Sequence, residues 1–147
     1  MLSKLLTHDH IQIMSKVDDW QSAIKIACQP LIDKQVICAE YTNAIIETAK
    51  NIGPYFVLAP SIAMPHARPE QGVNENGLSL LIVKEGVEFN STENDPVKFI
   101  LLLAAKNSDK HIELITSISE LFCNEKDVND IINAKGVNEV TEITKKY

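Results

Sequence analysis

Apolar and polar residues change period several times along the chain, and each change predicts an element. Ile11-Gln12-Ile13-Met14 alternates and predicts a short edge strand. From Trp20 the period lengthens: Trp20, Ala23, Ile24, Ala27 and Leu31 recur at helical spacing behind a capping Asp18 or Asp19. Pro30 is expected to kink or end that helix. A second helix is predicted from near Glu40, with Tyr41, Ile45, Thr48 and Ile52 on its inner stripe. Gly53-Pro54 stops it.

Phe56 to Ala59 then reads as a strand. Three prolines between Pro60 and Pro69 rule out ordinary helix there. Leu78 to Val83 and Phe99 to Ala105 are continuous apolar runs, the pattern of strands buried on both faces, with a turn at Asn94-Asp95-Pro96. Ser108 or Asp109 caps a helix reaching Phe122, and two short helices follow near Val128 to Ala134 and Val137 to Thr144. Strands interleaved with helices predict an α/β fold, a central mixed β-sheet flanked by helices on both faces. Without a linker, repeat or low-complexity tract, residues 1–147 are expected to form one domain.

Composition narrows the function. A hydrophobic content of 45% supports a full core, and the formal net charge of -6 with no basic stripe argues against nucleic acid as a partner. No apolar run is long enough to span a bilayer, and no apolar h-region follows Met1-Leu2-Ser3-Lys4. A cytoplasmic protein with no direct membrane insertion is expected. Cys28, Cys38 and Cys123 lack CxxC spacing and read as small core residues in a reducing compartment. His8 and His10 read as surface residues, and neither a metal nor a cofactor is expected.

The chemistry concentrates in Met64-Pro65-His66-Ala67-Arg68-Pro69. Prolines on both sides stiffen the backbone and push Met64 and Arg68 toward extended conformations, so the His66 imidazole is preorganised. A neutral imidazole is a good nucleophile near pH 7, and phosphoryl transfer chiefly demands alignment and stabilisation of the equatorial oxygens. Arg68 offers a guanidinium fork for those oxygens, and backbone N–H groups after His66 offer further donors. Spacing alone equally allows a loop histidine satisfied by a carbonyl, and a surface ion pair for Arg68. His111 falls in the first turn of the helix after the second apolar run, where an anion is favoured. A helix-end histidine bonded to a carbonyl fits that spacing too.

Asn51, Leu58-Ala59 and Ile62-Ala63-Met64-Pro65-His66-Ala67 match, position by position, the phosphohistidine motif of the type-2 IIA components of the sugar phosphotransferase system, the mannitol/fructose superfamily. His111-Ile112-Glu113-Leu114-Ile115-Thr116-Ser117 resembles that family's second-histidine helix. The resemblance implies a phosphotransferase that takes phosphate from HPr on His66 and hands it to a cysteine of an EIIB component, serving a membrane EIIC only indirectly. It implies that His111 orients or stabilises the phosphate. Some members carry arginine sixteen residues before the phosphohistidine; here Lys50 stands there, keeping charge without the planar fork.

Within the superfamily the chain is most similar to ascorbate-specific components, through Gly53-Pro54-Tyr55-Phe56-Val57, Ala59-Pro60, Arg68-Pro69-Glu70, Gly72-Val73, Glu88-Phe89-Asn90 and Asn94-Asp95-Pro96-Val97. A stand-alone regulator of the nitrogen-related type and a mannitol/fructose component are the alternatives. Tyr55, Pro60, Pro65 and Pro69 are expected to form a stiff apolar rim for partner proteins.

Overall fold

The computed structural model describes residues 2–106 and 108–147, with the side chains of residues 108–111 outside the description. Helix α1 spans Leu2–Leu5 and strand β1 spans Ile11–Met14. Helix α2, Trp20–Asp33, starts at Asp19, whose carboxylate accepts from the Ser22 N–H at 2.7 Å. Of the two outcomes expected of Pro30, a kink or an end, it does not end α2; three residues follow it in the helix. Proline removes the N–H that would bond the carbonyl four residues back. That carbonyl, Ile26 O, instead accepts from Gln12 Nε2 at 2.8 Å, so β1 supplies the missing donor.

Helix α3 spans Ala39–Ile52. Its buried face is Tyr41, Thr42, Ile45, Ile46 and Ala49, turned from the predicted stripe, while Thr48 is half-buried and Ile52 is 70% exposed. That rotation presents Thr48 and Ile52 to an open depression rather than to the core. Gly53 closes the helix at φ +92°. Gly72 packs against its start: a Cβ there would lie 2.7 Å from Cys38 Sγ and 2.9 Å from Tyr41 N, at a φ of +143°. Glycine at 72 therefore lets the chain close on the turn that carries Tyr41.

Strands β2 (Val57–Ala59), β3 (Ile62–Ala63), β4 (Gly77–Val87) and β5 (Val97–Ala104) join β1 in one sheet of order β1-β4-β5-β3-β2. The β1–β4 and β3–β5 pairs are parallel; β4–β5 and β2–β3 are antiparallel. The two apolar runs are the central strands, and their alternate residues serve two cores. Leu81, Val83, Ile100 and Leu102 face α2 and α3. Leu80, Ile82, Phe99 and Leu101 face α1, α4 (Ser108–Phe122), α5 (Glu125–Ile132) and α6 (Val137–Thr144). The mixed sheet with helices on both faces is as predicted. Truncating a fully buried leucine such as Leu81 to alanine costs about 2–5 kcal/mol.

Helix α5 begins earlier than predicted because Asn124 caps it, accepting from the Asp127 N–H at 3.0 Å. Its far end is held from the sheet: Lys84 Nζ donates to Ile132 O at 2.7 Å and Ala134 O at 2.5 Å. The chain ends meet as Leu2 N–H donates to Tyr147 O, and Tyr147 and Lys146 both bond the buried Asp127 carboxylate. Those two hydrogen bonds hold its pKa below the usual carboxylate value.

Two expectations about burial need correction. His10 is buried, because its Nδ1 lies 3.0 Å from both Leu5 O and Leu78 O and so ties the first turns to β4; His8 is exposed. Of the cysteines only Cys28 is a core residue, its thiol pushed up to about 12 by burial, whereas Cys38 is half-buried and Cys123 exposed. Cys123 follows the last turn of α4, where the chain has already left the core. Among the described residues no helix is long and apolar enough to cross a membrane.

Candidate active site

The loop from Met64 to Arg68 leaves β3 at the end of the sheet and is fastened residue by residue. Met64 N–H donates to Phe56 O at 2.9 Å, and Leu103 N–H donates to Pro65 O at 3.0 Å. Ser61, at the β2–β3 turn, has a φ of +70°, held by bonds to Asn94, Lys98 and Phe99. The His66 carbonyl accepts from the Tyr55 hydroxyl. Ala67 N–H donates to the Tyr41 hydroxyl at 3.0 Å, which itself donates to Leu103 O at 2.7 Å.

His66 is half-buried, and its ring meets Tyr55 edge-on with centroids 5.7 Å apart. Its Nδ1 lies 2.8 Å from Met64 O. A carbonyl oxygen only accepts, so the neutral ring carries its proton on Nδ1 and leaves Nε2 as a bare lone pair. A carbonyl-bonded loop histidine and a nucleophile were alternatives in the sequence; the structure shows the carbonyl bond, and that bond leaves Nε2 free, so the two readings do not exclude each other.

His66 shares an open depression of about 650 Å³ with Thr48, Ile52, Tyr55, Arg68 and the Pro69–Gln71 turn. Arg68 is exposed, and among the described residues no ion pair engages it. Lys50 is placed elsewhere: it pairs with Glu47 at 3.5 Å and lines a separate cavity of about 340 Å³ with Trp20, Phe56 and Phe89. On α3 it lies two residues from both Thr48 and Ile52, hence on the opposite side from the pair facing His66. His111 sits in the first turn of α4, and its side chain lies outside the described residues. Among the described residues, no group of three His, Cys, Asp or Glu side chains is placed to hold a metal ion.

Two expectations fail here for stated reasons. The backbone donors after His66 are already engaged: Ala67 N–H by Tyr41, and Arg68 N–H by Gln71 Oε1 at 2.9 Å. Pro65 is buried beneath the loop and Pro60 lies in the turn between β2 and β3, so of the expected rim Tyr55 and Pro69 line the depression, joined by the exposed Ile52. Tyr41 was legible only as an apolar-stripe residue, although a buried phenol signals a polar partner.

Residues 4–147 match the family model for the phosphoenolpyruvate-dependent sugar phosphotransferase system, EIIA 2. The chain belongs to this family. As a type-2 EIIA it is a phosphotransferase, a phosphoryl carrier that works through a histidine. It is 36% identical over 140 residues to an ascorbate-specific EIIA component of Escherichia coli, covering 95% of this chain and 91% of that one. The solution structure of a mannitol-specific cryptic enzyme IIA from Escherichia coli superposes with a TM-score of 0.92 at 36% identity, covering 99% of each chain. The mannitol enzyme IIA of Escherichia coli, solved in complex with phosphorylated enzyme IIB, superposes with a TM-score of 0.82 at 27% identity, covering 95% of this chain and 96% of that one.

Proposed function

We propose that His66 carries the phosphoryl group, on Nε2, and relays it from HPr to a cysteine of an EIIB component. The observation that carries this reading is the 2.8 Å contact between His66 Nδ1 and Met64 O. It leaves Nε2 unprotonated in a ring already aimed by its loop. The Nε2 lone pair attacks phosphorus as the donor's N–P bond breaks, and the donor ring leaves as neutral imidazole, its other nitrogen protonated. The His66 ring then bears positive charge, and its Nδ1–H bond to Met64 O strengthens as a charge-assisted bond. Attack by an EIIB thiolate breaks the new N–P bond and returns the ring to its neutral form.

Arg68, exposed in the same depression, supplies donors to the equatorial oxygens. His111, at the start of α4, provides the second contact to the phosphate. Lys50 is the lesser candidate because it lines a different cavity. The acceptor assignment draws on the mannitol IIA–IIB complex of a similar chain. The work is placed in the cytoplasm, with the membrane EIIC reached only through EIIB, and with no nucleic-acid partner.

The ascorbate pathway is the one we favour, on the segments flanking the loop and the similarity to ascorbate-specific components. A mannitol-type pathway is the second reading, supported by the likeness to the cryptic mannitol IIA. Two measurements test the proposal. Phosphotransfer from phosphoenolpyruvate through purified enzyme I and HPr, with trapping of the modified residue, is expected to label His66; label on another residue refutes it. Side-by-side transfer to ascorbate- and mannitol-type EIIB domains decides the pathway.

A further inference from the structure

We infer that Tyr55 and Tyr41 are positioning residues for His66: their hydroxyls hold the two ends of one peptide bond, the bond between His66 and Ala67. Tyr55 donates to the carbonyl at one end. Tyr41 accepts from the N–H at the other, 3.0 Å away. The two tyrosines come from different elements, Tyr41 from the first turn of α3 and Tyr55 from the segment between α3 and β2. Tyr41 is itself fixed, because its own proton goes to Leu103 O in β5 at 2.7 Å.

A side chain's Cα–Cβ direction is set by the two peptide planes that flank it, and a peptide plane can rotate as a unit unless both its ends are held. The plane before His66 is held by Leu103 N–H on Pro65 O. The plane after it is held by the two hydroxyls. Together they direct Cβ so that Nδ1 reaches back to Met64 O and Nε2 faces outward. The Tyr55 ring also packs edge-on against the imidazole, at 80° with centroids 5.7 Å apart. The tyrosines thus select the tautomer and aim of the nucleophile without touching the phosphate. This inference rests on the reading of His66 as phosphoryl acceptor only for its consequence in rate, not for its geometry.

The test is Tyr55→Phe, which keeps the ring and removes one hydroxyl, with Tyr41→Phe as the second variant. Ring ¹⁵N shifts of His66 report the tautomer directly and do not depend on phosphorylation. Wild type is expected to show Nδ1–H alone, and Tyr55→Phe a mixture of tautomers. Single-turnover transfer from phosphorylated HPr is expected to slow about tenfold, the worth of one lost hydrogen bond. Thermal unfolding shows whether either variant has lost its fold; because Tyr41 is fully buried and Tyr55 half-buried, Tyr55→Phe is expected to stay folded with a smaller drop in melting temperature than Tyr41→Phe. An unchanged tautomer in folded Tyr55→Phe overturns the inference, whether or not the rate falls. Failure of wild type to accept phosphate at His66 would refute the functional proposal instead, and the ¹⁵N result would still decide the clamp.

Discussion

His66 Nδ1 and Met64 O lie 2.8 Å apart within a single Pro-stiffened loop, two residues from each other in sequence. So short a sequence separation means the bond is available wherever the loop holds the ring in this orientation. It predicts the position of the phosphoramidate: ³¹P–¹⁵N coupling in the phosphorylated protein is expected at Nε2, with Nδ1 still protonated. His66→Ala is expected to abolish labelling. It should cost only about 1 kcal/mol of stability, because the ring is half-buried and makes one local hydrogen bond and one aromatic edge contact among the described residues. Stoichiometric phosphorylation of that variant would refute the assignment.

Arg68 has a clear expected signature because its side chain is exposed and, among the described residues, no ion pair engages it. If its fork holds the equatorial oxygens, Arg68→Lys is expected to be nearly as slow as Arg68→Ala in transfer to EIIB, by roughly ten- to a hundredfold. Full transfer by the lysine variant would reduce the residue to a point charge. Full transfer by the alanine variant would make it a bystander and return Lys50 to consideration, testable by Lys50→Ala.

Much of this was legible in sequence where a feature depends on near neighbours. The apolar runs that became β4 and β5, the cap at Asp19, and the Pro-flanked loop around His66 each rest on residues within a few positions. What escaped depends on remote partners. β3 is two residues long and exists through pairing with Phe99 and Ile100. His10 is buried because of a carbonyl 68 residues away. Tyr41 serves the loop through Leu103, 62 residues on. Ile52 reads as core by period, yet α3 turns it outward, since period gives a stripe but not which elements face it.

The tyrosines also predict the alkaline limb of stability. All three phenols are raised: Tyr41 to about 12 and Tyr55 by burial, Tyr147 by its bond to the Asp127 carboxylate. A pKa raised by folding gives stability that is fully present below the unfolded value near 10 and is lost as pH rises through the folded value. The tyrosine share of stability is therefore expected to hold below about pH 10 and to fall from there toward about 12, after an earlier loss from near 9.0 contributed by the buried Cys28 thiol. Absorbance at the phenolate band should show no ordinary tyrosine step before unfolding. Tyr41→Phe is expected to flatten the slope; an unchanged slope would mean that Tyr41 ionises freely in the folded protein.

The last prediction concerns Gln12 and Pro30, which act on one carbonyl without touching the active site. Pro30 leaves Ile26 O without its helical donor, and Gln12 Nε2 takes the vacancy at 2.8 Å. Gln12→Ala strands a partly buried acceptor and is expected to cost about 1–3 kcal/mol. Pro30→Ala restores an N–H at the helical position, which competes for the same carbonyl. In that background Gln12→Ala is expected to cost less, with a coupling of about 0.5–2 kcal/mol read from a double-mutant cycle of urea unfolding. The sign follows from the geometry: each change removes one donor or adds one, and the carbonyl needs only one to be satisfied. Strictly additive costs would show that the proline does not create the need that the glutamine fills. Phosphotransfer should be unchanged in all three variants, because α2 and β1 contribute no residue to the depression that holds His66.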